Sequence, residues 1–142
     1  VPEGEHLIPL GKARIAREGG DVTIVTYSRM VLTAEEAAEK LAEQGVQAEI
    51  IDLRTLSPMD MATVSASVEK TKRAVVVTEA HKTAGMSAEI AARITEANWR
   101  DLAAPVQRVA AKDVPVPATQ LEKLSIPSVQ EIVEAATRLH SA

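Results

Sequence analysis

The fold of this chain is decided by the stretch Asp52-Leu53-Arg54-Thr55-Leu56-Ser57-Pro58-Met59-Asp60. Ile50 to Leu53 complete an apolar, β-branched run that is typical of a buried strand, and Ser57-Pro58 supplies a helix start a few residues later. A strand that passes into a helix across a short turn is the unit of a parallel α/β sheet. In such sheets ligands and partners gather at the carboxyl ends of the strands, so this turn marks a candidate site.

The flanking segments repeat the alternation of strand and helix. Hydrophobic periodicity predicts strands over 12–18, 21–27, 46–53, 73–79 and 106–110, and helices over 30–44, 57–71, 85–98 and 127–139. The pattern predicts an α/β fold, a three-layer α/β/α sandwich around a five-stranded, mostly parallel sheet with one antiparallel edge strand. Segment 12–18 suits the half-exposed edge, and segment 73–79, the most continuous apolar run, is expected at the centre.

Local signals predict how these elements begin and connect. Gly19-Gly20 permits a tight hairpin that would make the first two strands antiparallel neighbours. Thr33 and Glu36 have the spacing of a capping box, and Ser57, Pro58 and Asp60 fit the N-cap, N1 and N3 positions of the second helix. Residues 1–10 lack any period and are expected to be a linker from a missing upstream domain, with residues 11–142 as the domain. The start at Val1 rather than Met agrees with an excised piece.

Composition excludes several classes of function. The chain has 142 residues, no Phe, one Tyr and one Trp, so its core must be built from aliphatic side chains. Sixteen Lys plus Arg against twenty Asp plus Glu give a net charge of −4, which disfavours nucleic acid as a partner. The absence of Cys excludes disulfides and thiolate chemistry. No apolar run approaches the ~20 residues that span a bilayer, so a soluble protein without a membrane partner is expected.

Motifs for phosphate binding and nucleophilic catalysis are absent. The sequence has no GxGxxG and no GxSxG, and Gly11-Lys12 lacks the upstream glycine of a P-loop. His6, His81 and His140 are far apart and lack the spacing of metal ligands, so no metal site is expected.

Two polar segments leave a functional and a structural interpretation open. The loop Glu79 to Gly85, which includes His81, follows a buried strand and precedes a helix, where it could touch a ligand or a neighbouring subunit. It is equally interpretable as a surface connection. Arg54 could reach a partner carboxylate in a bidentate manner, or it could form a structural ion pair with Asp52.

A set of spaced motifs resembles one family over nearly the whole chain. The motifs are Ile8-Pro9-Leu10-Gly11-Lys12-Ala13, the stretch 52–60, Ser67-Val68-Glu69-Lys70-Thr71, Glu79-Ala80, Ala88-Glu89-Ile90-Ala91, Ala104-Pro105-Val106, Asp113-Val114-Pro115-Val116-Pro117 and Ser125-Ile126-Pro127. Together they resemble the C-terminal domain of the β subunit of the thiamine-diphosphate-dependent 2-oxo acid dehydrogenases, the E1 components of the pyruvate and branched-chain complexes. Asp113-Val114-Pro115 favours the pyruvate type.

The resemblance implies a transketolase C-terminal-like fold and a role without catalysis. In this family thiamine diphosphate, with Mg, is held by the E1 α subunit and the N-terminal half of the β subunit, which also carry the catalytic histidines. The implied complete enzyme decarboxylates a 2-oxo acid oxidatively and transfers the acyl group to lipoyl-E2. No catalytic, cofactor or metal residue is therefore expected in this chain, and the domain alone is expected to be inactive.

The implied partners are the E1 α subunit, a second E1 β subunit and the basic peripheral-subunit-binding domain of the E2 acyltransferase. By this resemblance the candidates for docking E2 are Asp101, Glu131, Glu134 and the carboxylate of Ala142. The candidates for an interface or structural role are Arg54, Asp60, Glu79 and His81. The implied location is the bacterial cytoplasm or the mitochondrial matrix.

Two other hypotheses remain open from the residues alone. The chain could be a free-standing α/β ligand-binding protein that uses the loop from Glu79 to Gly85. It could also be an engineered, stably folding version of the domain, which the scarcity of aromatic residues favours.

Overall fold

The computed structural model describes residues 7–115 and 124–142. Within these ranges the strands are β1 (Arg14–Arg17), β2 (Val22–Thr26), β3 (Ala48–Asp52), β4 (Ala74–His81) and β5 (Gln107–Ala111), and the helices are α1 (Met30–Glu43), α2 (Met61–Thr71), α3 (Met86–Asn98) and α4 (Val129–His140). Residues 1–6 of the predicted linker, and residues 116 and 117 of the proline-rich motif, lie outside the described ranges. Residues 7–9 have neither helix nor strand.

The five strands form one sheet in the order β1-β3-β2-β4-β5. β2 pairs in parallel with β3 and β4, β4 pairs in parallel with β5, and β1 runs antiparallel along β3 at the edge. The predicted mostly parallel sheet with one antiparallel edge strand is confirmed.

Helices cover both faces of the sheet, and each face has its own aliphatic core. One core joins the sheet to α1 and α4 through residues such as Leu41 and Ile132, and the other joins it to α2 and α3 through residues such as Val68 and Ile90. The predicted core without aromatic residues is confirmed among the described residues, since both buried clusters contain aliphatic side chains alone.

The central strand is β2, so the prediction that segment 73–79 lies at the centre is wrong. All five residues of β2 are buried, whereas β4 lies one place nearer the edge and becomes exposed at its carboxyl end. Thr23 and Thr26 conceal the burial of β2 in the sequence. Thr23 Oγ1 lies 2.7 Å from the hydroxyls of both Ser67 and Thr71, and Thr26 Oγ1 donates to the carbonyl of Val77 at 2.9 Å. Because each hydroxyl is paired, neither threonine opposes burial.

The predicted hairpin at Gly19-Gly20 is also wrong, because β1 pairs with β3 rather than with β2. Neither glycine has the positive φ that a two-residue hairpin turn requires. Instead, the amides of Gly20 and Asp21 donate to the carbonyl of Gln47 at 3.0 and 2.9 Å, so the chain crosses the start of β3 on its way to β2. A Cβ on Gly19 would lie 2.3 Å from the carbonyl carbon of Ala48. Gly19 is therefore required for close approach of two backbones rather than for a turn.

Two predicted helix starts are displaced. α1 begins at Met30, so Thr33 and Glu36 lie within the helix and do not form its capping box. α2 begins at Met61, and its N-cap is Asp60 rather than Ser57. Residues 55–58 stay outside the helix because Thr55 Oγ1 donates to the carbonyl of Pro58 at 2.8 Å, which holds them in a turn.

We expect Gly19→Ala to lower the free energy of unfolding by about 1–3 kcal/mol, because the new methyl group meets backbone atoms that no rotamer change can move away. The neighbouring substitution Gly20→Ala is the matched control, since a Cβ there meets nothing within 4 Å. Urea unfolding of both variants measures the difference. Equal stability of the two variants would contradict the close-approach role of Gly19.

Candidate functional site

The candidate residues lie at two opposite edges of the sheet. We call the edge where the parallel strands begin the amino edge, and the edge where they end the carboxyl edge. Asp101 and Ala142 lie at the amino edge, and α4, which carries Glu131 and Glu134, runs from the carboxyl edge to the amino edge. The other four candidates, Arg54, Asp60, Glu79 and His81, lie at the carboxyl edge.

Asp101 and the end of α4 flank the start of β4. Lys72 Nζ donates to Asp101 Oδ1 at 2.9 Å, and the Lys72 carbonyl accepts the amide of Ala103 at 2.9 Å. The next residue, Arg73, donates from Nε to the carbonyl of Leu139 at 2.6 Å, three residues before the terminal Ala142. These contacts place the α3–β5 loop and the chain terminus at the same edge of the sheet, on its opposite faces.

The two glutamates of α4 differ in what they contact. Glu131 closes a capping box in which its amide donates to Ser128 Oγ at 3.2 Å and its Oε2 accepts the Ser128 amide at 2.8 Å. At 1.5 Å rise per residue, Glu131 lies about 12 Å along the helix from Leu139, and so it is distant from the amino edge. Glu134 is exposed and accepts a hydrogen bond from Gln130 Nε2 at 3.1 Å. The structure therefore does not bring the four docking candidates into one cluster.

A shallow groove runs along the exposed side of α4 beside Glu134. It has a volume of about 580 Å³ and is also lined by Gln44, Thr137 and Arg138. Thr137 Oγ1 is buried there and has no hydrogen-bond partner within the described residues. An unpaired hydroxyl beside an exposed carboxylate gives this surface hydrogen-bonding capacity that the chain itself does not use.

Trp99 supplies an apolar feature at the amino edge that the sequence analysis did not assign. Its residue is 64% exposed and follows α3 directly, two positions before Asp101. The indole borders a groove of about 750 Å³ with Leu102 and Pro105, and the Arg100 guanidinium carbon lies 4.9 Å from the ring centroid. The signal in the sequence was the one Trp of a chain without Phe, placed among polar residues where a core position is improbable.

At the carboxyl edge, Arg54 and Arg14 share one carboxylate. Their Nε atoms lie 3.8 and 3.7 Å from Asp52 Oδ2, which is longer than a charge-assisted hydrogen bond. The amide of Arg54 donates to Asp52 Oδ1 at 3.2 Å, and Arg54 has a φ of +58°. Asp52 thus fixes the Arg54 backbone in the left-handed region, while the guanidinium remains loosely paired.

Glu79 pairs across the point where the direction of winding reverses. β2 leads through α1 to β3 on one side and β3 leads through α2 to β4 on the other, so the crevice between β2 and β4 is a topological switch point. Arg29 Nη2 and Glu79 Oε2 bridge it at 3.0 Å. Burial, and secondarily the charge of Glu79, raise the pKa of Tyr27 in the same crevice.

The loop that follows Glu79 is bound to the segment after β5. His81 Nε2 lies 2.9 Å from the Val114 carbonyl, and Asp113 accepts hydrogen bonds from the amide and the hydroxyl of Thr83 at 2.9 and 2.6 Å. These bonds from Thr83 lower the pKa of Asp113. The loop therefore uses much of its polar capacity internally, although a shallow pocket of about 450 Å³ remains beside it.

Asp60 is a structural residue that joins α2 to the start of the domain. Its carboxylate accepts the Thr63 amide at 3.3 Å, the Thr63 hydroxyl at 2.9 Å and the Ala13 amide at 3.0 Å. Burial by itself raises the pKa of this carboxyl, but the hydrogen bonds from Ala13 and Thr63 outweigh burial and hold the pKa below its usual value.

A second buried carboxylate, Glu49, was not identified from the sequence. Its side chain is buried in the middle of β3, and it bonds to Lys70 Nζ and to the Gly19 amide. Burial raises the pKa of Glu49, but hydrogen bonds from Lys70, Ser67 and Gly19 lower it below the usual value, and the bond to Glu49 raises the pKa of Lys70. One acidic residue within an otherwise apolar strand was the available signal.

The described part of the chain holds no group of three or more His, Cys, Asp or Glu side chains that could bind a metal ion. Within the same part, no helix is both long and apolar enough to cross a membrane.

The family model for the transketolase C-terminal domain matches residues 11–132, which is most of the chain. The chain belongs to the transketolase C-terminal domain family. Among curated relatives of this family member, it is 52% identical over 96% of its length to the mitochondrial pyruvate dehydrogenase E1 component subunit beta-1 of Arabidopsis thaliana, and covers 38% of that subunit. It is 47% identical over 98% of its length to the pyruvate dehydrogenase E1 component subunit beta of Bacillus subtilis, and covers 43% of it. The chain thus spans about two fifths of these relatives.

A solved structure shares the fold of this transketolase C-terminal domain. A split-gene transketolase, described as an inactive beta4 tetramer, matches 99% of the chain with a TM-score of 0.78 and 27% identity, and the match covers 46% of that protein's chain. The agreement confirms the predicted transketolase C-terminal-like architecture.

We expect Asp60→Ala to lower the free energy of unfolding of this family member by about 1–3 kcal/mol near neutral pH, since it removes the α2 cap and leaves the Ala13 amide unpaired. Because folding depresses the pKa of Asp60, its stabilisation is present above the unfolded-state pKa of about 3.9 and is lost as pH falls through the lower folded-state pKa. The stabilities of the wild type and the variant should converge in acid. Urea unfolding from neutral to acidic pH measures this, with Glu69→Ala on exposed α2 surface as the control.

Proposed function

We propose that this chain is the C-terminal domain of an E1 β subunit of the pyruvate dehydrogenase type, and that it serves assembly and E2 docking rather than catalysis. The observation that carries the proposal is identity of about one half, over almost the whole chain, to pyruvate dehydrogenase E1 β subunits from a plant mitochondrion and a bacterium. The match runs through both edges of the sheet rather than through one local motif.

In this proposal the complete enzyme performs oxidative decarboxylation of pyruvate with thiamine diphosphate and passes the acyl group to lipoyl-E2. The described residues of this chain do not fit the cofactor, because they offer no carboxylate cluster for its Mg²⁺. We therefore assign thiamine diphosphate and Mg²⁺ to other domains of the enzyme and no catalytic step to this chain. The bacterial and mitochondrial relatives support a location in the bacterial cytoplasm or the mitochondrial matrix.

The proposed docking surface for the basic E2 peripheral-subunit-binding domain is the amino edge. It combines Asp101, the Ala142 carboxylate and the exposed Glu134 with the indole of Trp99. Acidic groups beside an apolar anchor suit a basic partner, since charges guide association and a desolvated aromatic residue holds the complex. Glu131 belongs to the same helix but is already bonded to Ser128, and we propose a smaller contribution from it.

The proposed assembly role uses the carboxyl edge, where Arg54, Glu79 and His81 lie, toward the E1 α subunit and the other β subunit. Asp60 supports that role indirectly by holding α2 to the start of the domain.

We expect the chain to bind the isolated E2 peripheral-subunit-binding domain in calorimetry, with an affinity that falls as salt screens the charges. Asp101→Lys combined with Glu134→Lys should weaken binding at least about tenfold, which corresponds to about 1.4 kcal/mol. Amidation of the Ala142 carboxylate should weaken it in the same direction.

Glu69→Lys, a charge reversal on exposed α2 surface, is the control and should leave binding unchanged. Absent or salt-insensitive binding would count against docking. Micromolar binding of thiamine diphosphate by this chain alone would contradict its assignment as a domain without catalysis.

A further inference from the structure

The carboxyl edge exposes most of the large apolar side chains that the structure leaves in solvent. Of the eight exposed large hydrophobic residues within the described ranges, six lie in segments at this edge: Leu7, Ile8, Leu10, Leu32, Val114 and Leu124. Exposed apolar residues concentrated at one edge are typical of an interaction surface.

Three of these residues line one groove together with the loosely paired arginines. This carboxyl-edge groove has a volume of about 610 Å³ and is lined by Ile8, Leu10, Leu32, Arg14, Asp52 and Arg54. Leu10 is 84% exposed and Leu32 is 62% exposed. Since one carboxylate serves two guanidinium groups, the groove has an excess positive charge in a chain whose net charge is −4.

An acidic stripe of α1 begins beside the groove. Leu32, Glu36, Glu39 and Glu43 are all exposed, and their spacing places them along one side of the helix. Glu36, Glu39 and Glu43 have no ion-pair partner within 4 Å in residues 7–115 and 124–142. An apolar residue therefore separates an unpaired acidic stripe from a groove with an excess positive charge.

We propose that this face binds a second copy of the chain in an isologous dimer. A two-fold axis between the groove and the stripe brings Arg14 and Arg54 of each copy to Glu36 and Glu39 of the other, and buries Leu10 and Leu32 between them. Such an interface must be self-complementary, and adjacent patches of opposite charge meet that condition. The proposal goes beyond the proposed function and does not depend on it, because it concerns the carboxyl edge and requires neither E2 nor cofactor.

Sedimentation velocity of the full 142-residue chain over a range of concentrations tests this dimer. We expect a monomer–dimer equilibrium whose dissociation constant rises several-fold in about 1 M NaCl, where the screening length falls to about 3 Å. A chain that remains monomeric at all concentrations in low salt overturns the proposal.

Charge reversal identifies the face that is used. R14E/R54E and E36K/E39K should each shift the chain to monomer, since each places like charges opposite one another. An equimolar mixture of the two variants should form a heterodimer, because every contact across its two-fold axis is again between opposite charges. Failure of the mixture to associate overturns the proposal, as does unchanged dimerisation of either variant.

Trp99→Lys at the amino edge and Glu69→Lys on α2 are the controls, and neither should alter dimerisation. If Trp99→Lys abolishes the dimer, the copies meet at the amino edge and the proposal is wrong. Far-UV circular dichroism verifies that each variant is folded. R14E alone serves as the second groove variant if the change at Arg54 disturbs the left-handed backbone there.

Discussion

The pairing of β2 with a parallel strand on each side is the constraint on which the rest of the structure depends. Parallel neighbours require crossover helices, so α1 and α2 must leave the central strand toward opposite faces. This requirement creates two separate cores, the switch point bridged by Arg29 and Glu79, and two chemically different edges. Burial on both faces also requires a partner for each polar atom of β2, which explains the hydroxyl cluster around Thr23.

Periodicity predicted the fold well because strands and helices buried on one or both faces leave a direct pattern in the sequence. It failed where one residue type serves several purposes. Glycine at Gly19 suits a hairpin turn and a close backbone approach equally well, and only the position of Ala48 distinguishes them. Asp60 was expected in the first turn of α2 but caps it, because the Ala13 amide, distant in sequence, helps to hold its carboxylate.

The candidate sites were predictable in composition but not in arrangement. Charge and family motifs identified Asp101, Glu131 and Glu134 together, yet sequence spacing does not show that Glu131 is bonded to the start of its own helix. Nor does it show that Asp101 approaches the end of α4 through two consecutive residues, Lys72 and Arg73. Both contacts depend on how helices on opposite faces meet the sheet, which is tertiary information.

The position of Trp99 has a spectroscopic consequence. Because the one tryptophan is 64% exposed in the native state and lies outside both cores, its emission already comes from a polar environment and should change little on unfolding. The same indole should become less polar in its surroundings, with emission shifted to shorter wavelength, when another molecule covers the amino edge. Intrinsic fluorescence of this chain is thus a reporter of that surface, and Tyr27, packed against one core, is the only other aromatic chromophore.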